Sequence, residues 1–178
     1  MTRDARALVA VLALAAALSG SAAGVVGPSA ADAGPAPYPG TEAAAKATAT
    51  RAEFKPARQL FERYDALSAA FDTTVADLFS DSAMIQNTRR YPDGTSKVLT
   101  LPAPAYKDLI RKVMPLAKAR DDRNSYSRVT YVAEGPNVRI AGQRTSTMKK
   151  YTSPFSLLVG ADEKGKWLIL EEITESQP

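Results

Sequence analysis

Histidine and cysteine are both absent from this chain of 178 residues. Without histidine there is no Ser-His-Asp or Cys-His nucleophilic site, no imidazole to move protons near neutral pH, and little material for a zinc site. Without cysteine there is no disulfide framework, thiolate nucleophile or lipid-modified thiol. Glycine is sparse and scattered: Gly135 and Gly142 stand alone, and no strand-to-helix GxGxxG or phosphate-binding loop occurs. Asp121-Asp122 lacks the further ligand spacing of a calcium loop. We therefore expect no metal, nucleotide or other cofactor. The chemistry left open belongs to carboxylates, tyrosine, lysine and arginine.

An apolar run long enough to span a membrane is also missing. Ala7 to Leu18 falls short of the roughly 20 apolar residues that a spanning helix needs. Preceded by Arg3 and Arg6 and followed by small residues, it has the three-part pattern of a secretory signal peptide, residues 1–23. Cleavage after Ala23 fits best, and Ala31-Asp32-Ala33 offers a second site ending at Ala33. The expected location is periplasmic or secreted, with no membrane span after cleavage. The net charge of +4 is a mild surplus suited to a mixed-charge surface.

Residues 24–51 are rich in Ala, Pro, Gly and Thr and read as a disordered tether or mature tail. The remaining stretch, 52–175, suffices for one domain. Its first helix carries Leu60, Phe61, Tyr64, Leu67 and Phe71 on one face, with Thr50-x-x-Glu53 and Pro56 as competing starts. Asp72-Thr73-Thr74 caps a short second helix that Ser80-Asp81-Ser82 should stop. Ala83 to Tyr91 and Ser96 to Leu101 form a hairpin around Pro92-Asp93-Gly94. Tyr106, Leu109, Ile110 and Val113 mark another helix, which Pro115 should end or kink near Val113. Tyr126 to Ala133, Val138 to Met148, Tyr151 to Val159 and Lys166 to Ile173 complete the chain as strands. The order α-α-β-β-α-β-β-β-β predicts an α+β fold, a strongly curved antiparallel sheet wrapped as a cone around the long first helix.

That order, with RYDALSAAFDTTVADLFSDSAMI and GKWLILEEI, resembles the nuclear transport factor 2-like superfamily, which includes SnoaL-like cyclases and ketosteroid isomerase. The resemblance covers roughly Phe54 to Thr174. It implies a conical pocket and frequent pairing of two copies through the open sheet face. It also places Tyr64 where ketosteroid isomerase donates a hydrogen bond to its oxyanion, although the same residue belongs to the aromatic core face. The isomerase's carboxylate base falls on Asn87, and its second acid near Phe155 or Ser156, none of which can do that work. SnoaL-like and scytalone dehydratase-like enzymes use pocket histidines, which are absent.

Glu171 shares strand parity with Trp167 and Ile169, so simple alternation turns it toward the hollow, as a buried acid or the partner of an arginine such as Arg139. The stronger reading leaves Glu171 or Glu172 at a solvated mouth or in a dimer interface, since charged residues are rarely fully buried without a partner. Tyr64, Asn87, Ser156 and Glu171 are thus the candidate ligand-binding residues. Arg89-Arg90 and Lys149-Lys150 flank an opening that would attract an anion, or else lie on solvated strand ends. The interleaved tyrosines fit sheet propensity, and no nucleic-acid partner is expected. The leading expectation is non-catalytic binding of a small apolar or amphipathic ligand, or of a protein partner, with a homodimer as one form. The alternative is an isomerase, lyase or hydrolase using Tyr64 with a carboxylate such as Glu171. A third is an assembly subunit, like the periplasmic core proteins of conjugation machines, that keeps its N-terminal segment as an anchor. Intact-mass measurement of the exported protein should find a chain beginning at Gly24; a retained segment from Met1 to Leu18 would refute soluble export.

Overall fold

A computed structural model describes residues 54–177. The signal segment, both cleavage sites, the tether and the Thr50-x-x-Glu53 capping box lie outside the described residues. Helix α1, Lys55–Ala69, has Pro56 in its first turn, where a missing N–H costs nothing. It buries Ala57, Leu60, Phe61, Tyr64 and Ser68 along one face. The helix ends because Phe71 turns into the left-handed region at φ 58°, which lets the Asp72 N–H return to the Leu67 carbonyl at 2.9 Å. Arg123 steadies this turn, its guanidinium 4.6 Å from the Phe71 ring centroid and donating to the Ala69 carbonyl.

Asp72 then caps a single 3-10 segment, Thr73–Leu78, accepting from the Thr74 N–H at 2.8 Å. Strand β1, Phe79–Arg90, begins at once. The expectation that Ser80-Asp81-Ser82 separates helix from strand is corrected: these residues form the irregular opening of β1, between Phe79 and Met84. Lys107 pins that opening, donating to the Phe79 carbonyl at 3.0 Å and to Asp81 at 2.6 Å. Strand β2, Ser96–Pro102, returns antiparallel after a turn in which Gly94 takes φ 85°.

Helix α2, Ala103–Ala119, runs through Pro115 and corrects the predicted stop near Val113. Pro115 lies on the exposed side, where water can serve the carbonyl that loses its donor. Val113, Met114 and Ala117 are buried around it and hold the last turns against the core. Strands β3 (Asn124–Glu134), β4 (Asn137–Ser146), β5 (Thr152–Ala161) and β6 (Trp167–Ser176) follow. The six-stranded sheet has the order β2-β1-β6-β5-β4-β3. Every neighbouring pair is antiparallel except β1 and β6, which run parallel because α2 carries the chain across to the far edge and the last strand closes against the first.

Two irregularities bend the sheet around α1. In β3 the register shifts between Ser127 and Thr130, with Arg128 at φ 53°. Gly142 on β4 faces this bulge, and a Cβ there would lie 2.8 Å from the Ser127 carbonyl oxygen and 2.9 Å from the Phe155 ring. In β6 the register shifts beside Leu158 and Val159, leaving Leu170 as an extra residue. Aromatic rings fill most of the concave side. Phe61 stacks on Phe155 at 5.7 Å, Tyr126 meets Phe155 edge-on at 4.9 Å, and Phe79 meets Tyr106 edge-on at 5.3 Å.

Replacing Pro115 by Ala restores the missing donor inside α2. Urea denaturation should show a gain of about 1–3 kcal/mol; an unchanged or lowered midpoint would mean that the proline ring contributes packing that the helix needs.

Candidate functional site

The strand registers order the concave face into rows. One row reads Leu101, Ile85, Glu172, Leu157 and Ile140; the next reads Leu99, Asn87, Thr174, Phe155 and Gly142. Glu172 is therefore an acid set among aliphatic side chains, and it is 1% exposed. Tyr106, reaching over from α2, donates its hydroxyl proton to Glu172 Oε1 at 2.9 Å. The other oxygen, Oε2, is buried without a hydrogen-bond partner. Such an atom is costly in a folded core unless something occupies the space beside it.

That space is a small cavity lined by Ile85, Asn87, Leu99, Leu101, Tyr106, Glu172 and Thr174, with room for about one water molecule. Asn87 is locked at its wall: Nδ2 donates to Thr174 Oγ1 at 2.9 Å, and Oδ1 accepts from Ser176 Oγ at 2.8 Å. Burial pushes the Glu172 carboxyl up to about 7, against the downward pull of the Tyr106 hydrogen bond and the Arg144 guanidinium. Arg144 is itself 1% exposed and donates to the Glu175 carbonyl at 2.6 Å.

The candidate residues divide between the two faces of the sheet. Asn87 lines the cavity. Tyr64 is buried nearby among Phe61, Phe79 and Tyr126, its hydroxyl 3.5 Å from that of Tyr126, but it does not reach the cavity wall. Glu171 and Ser156 lie on the outer face. There Arg139 pairs with Glu171 and with Glu134, at 2.9 Å for the latter, and approaches Ser156 Oγ at 3.3 Å. The expectation that Glu171 faces the hollow is corrected by Leu170, the extra residue that reverses the alternation between Ile169 and Glu171.

Glu172 and Tyr106 are thus the pair that the strand pattern misses. The adjacent acids Glu171-Glu172 are visible in sequence, but a bulge leaves no residue signal from which to choose between them. Tyr106 is visible as a core position of α2, while its partner is set by how α2 crosses the sheet.

No family model matches the chain, and no curated protein matches it. Among solved structures, an NTF-2 like protein of unknown function from Shewanella oneidensis MR-1 aligns with a TM-score of 0.52 at 12% identity, over 70% of this chain and 99% of that one. The fold is the nuclear transport factor 2-like fold. Two further proteins described as NTF2-like align less closely. One from Cytophaga hutchinsonii has a TM-score of 0.48 at 9% identity, over 72% and 99% of the two chains. One from Novosphingobium aromaticivorans, with a cystatin-like fold, has 0.46 at 14% identity, over 68% and 79%. Within this fold, Glu172 stands on the concave face beside the cavity, held by the Tyr106 hydroxyl.

Because Glu172 gains a higher pKa on folding, the native state binds the extra proton between its ordinary value near 4.5 and about 7. Stability should therefore fall as pH rises through that window. Glu172→Gln removes this dependence, and the wild-type minus variant difference should change by on the order of 3 kcal/mol between pH 4 and 8. Parallel curves from chemical denaturation would show that the carboxyl titrates normally.

Proposed function

We propose that this chain is an exported binding protein that takes a small amphipathic molecule into the cavity beside Glu172. The observation that carries this reading is the unpartnered Glu172 Oε2, buried at the edge of a cavity whose other walls include Ile85, Leu99 and Leu101. A ligand with a hydroxyl or amine beside an apolar body would satisfy the oxygen and cover the aliphatic walls. Growth of the cavity beyond one water is easiest on the β2 side. That strand is at the sheet edge, and Val98 is 56% exposed on its outer face. The outer face of the sheet, with Leu158 and Ile173 half-buried around the Arg139–Glu171 pair, is the surface through which a second copy would bind.

A second reading has its own support. A carboxyl that titrates near 7 is poised to exchange a proton at neutral pH. An isomerase, lyase or hydrolase would use Glu172 as that group, with Tyr106 rather than Tyr64 as its hydrogen-bonding partner.

Native mass spectrometry of protein from its own exporting cells, followed by organic extraction, addresses both readings. We expect a bound small molecule on a dimer, lost in Leu101→Trp, which fills the cavity, and weakened at least tenfold in Glu172→Gln. A monomer removes the dimer from the proposal, and an empty wild-type protein refutes ligand binding. Conversion of the extracted molecule by wild-type protein but not by Glu172→Gln would replace binding with catalysis.

A further inference from the structure

Beyond the cavity, the concave face changes character. The next row along the strands carries Lys97, Arg89 and Ser176 on β2, β1 and β6, and Ser153, Arg144 and Tyr126 on β5, β4 and β3. Two arginines share this row, and Lys149, from the turn between β4 and β5, reaches its far end, where its ammonium donates to the carbonyl of Gln177, the residue after Arg89's strand partner Ser176. The closeness is felt electrostatically: burial and then the Arg89 guanidinium push the Lys149 ammonium down from its ordinary value.

Like charges so placed repel, and a protein normally interposes a carboxylate. Among the described residues neither Arg89 nor Lys149 forms an ion pair. Arg89 Nε is buried without a hydrogen-bond partner, its guanidinium 5.5 Å from the Tyr91 ring centroid. The Lys149 ammonium donates to the Gln177 carbonyl at 3.2 Å, and the Lys149 backbone N–H to Ser146 Oγ at 3.1 Å. Arg144 Nε and the Tyr151 hydroxyl are also buried and unpartnered. One acid in the neighbourhood is Asp122. Burial raises its carboxyl, while Lys149, Arg120 and Arg144 pull it down, and it makes no hydrogen bond to Arg89 or Lys149.

We propose that this open end of the hollow, bounded by the Arg89 guanidinium, the Lys149 ammonium and the Tyr151 hydroxyl, binds an oxyanion, foremost a phosphoryl group. A guanidinium fork, a point-charge ammonium and a phenol are the donor types that suit an oxyanion. The fully buried Arg144 stands behind them as fixed positive charge. The ligand is a free phosphate ester or a phospholipid headgroup. The site is separate from the Glu172 cavity, although it is the next row outward from Asn87 and Thr174.

The test uses the full chain, inorganic phosphate at constant ionic strength in calorimetry, and vesicles of phosphatidylglycerol or phosphatidylcholine in co-sedimentation. Saturable binding is expected. Arg89→Gln and Lys149→Gln should each weaken it roughly tenfold, while Lys112→Gln on the exposed side of α2 leaves it intact. Binding of phosphate alone assigns a soluble ester, and binding of phosphatidylglycerol vesicles alone assigns a headgroup; either supports the site when both variants lose it. No saturable binding to any probe, or binding unchanged in both variants, overturns the proposal. Should either variant fail to fold by circular dichroism, Tyr151→Phe, which removes one hydroxyl, provides the measurement, with several-fold weakening expected and none refuting.

Discussion

One extra residue in the last strand governs the interior of this protein. Strand β6 lies between β1 and β5, and Leu170 is inserted where the register shifts against β5. Side chains alternate along a strand, so an insertion of one reverses the facing of everything after it. Ile169 points inward before the shift and Glu172 after it, while Glu171 goes outward to Arg139. Had the alternation continued, the concave side would hold Glu171 and Ile173, and the Tyr106 hydroxyl would face no acid. Gly160 on β5 lies beside the insertion, where a Cβ would sit 2.1 Å from Asn137 Oδ1 and 2.9 Å from the Leu170 side chain.

From that facing follows a graded interior. Aromatic rings from α1, β1, α2, β3 and β5 close the deep part of the hollow. Glu172 marks its middle, Asn87 and Thr174 come next, and Arg89 and Arg144 follow in the row beyond. Each step outward raises polarity, while Arg144, Ser153 and Ser176 stay as buried as the rows before them. The cost of burying Glu172 is offset in part by Tyr106 and by the field of Arg144. Neither partner reaches Oε2.

Much of the architecture is legible before any coordinates. The face of α1, the Asp72 cap, the hairpin at Pro92-Asp93-Gly94 and the later strands all follow from periodicity and turn chemistry, which act over a few residues. Where those local rules fail, a distant contact overrules them. Ser80-Asp81-Ser82 is drawn into a strand by Lys107, and Pro115 is carried within a helix because Met114 and Ala117 are anchored in the core. Of the candidate residues, Asn87 lines the small cavity, and Tyr64 is a buried core aromatic that does not. Ser156 and Glu171 sit on the opposite face.

The sequence by itself determined the element order, the α+β class and the chemistry available, because composition and hydrophobic period are properties of the chain. It excluded imidazole and thiol mechanisms outright. Only the tertiary structure decided which of two adjacent glutamates is buried, which tyrosine meets it, and that Arg89 and Lys149, sixty residues apart in the chain, both lie against the end of β6. Those outcomes depend on a bulge, a helix crossing and a parallel strand pairing. Each is set by packing among residues far apart in sequence, and none leaves a local pattern to read.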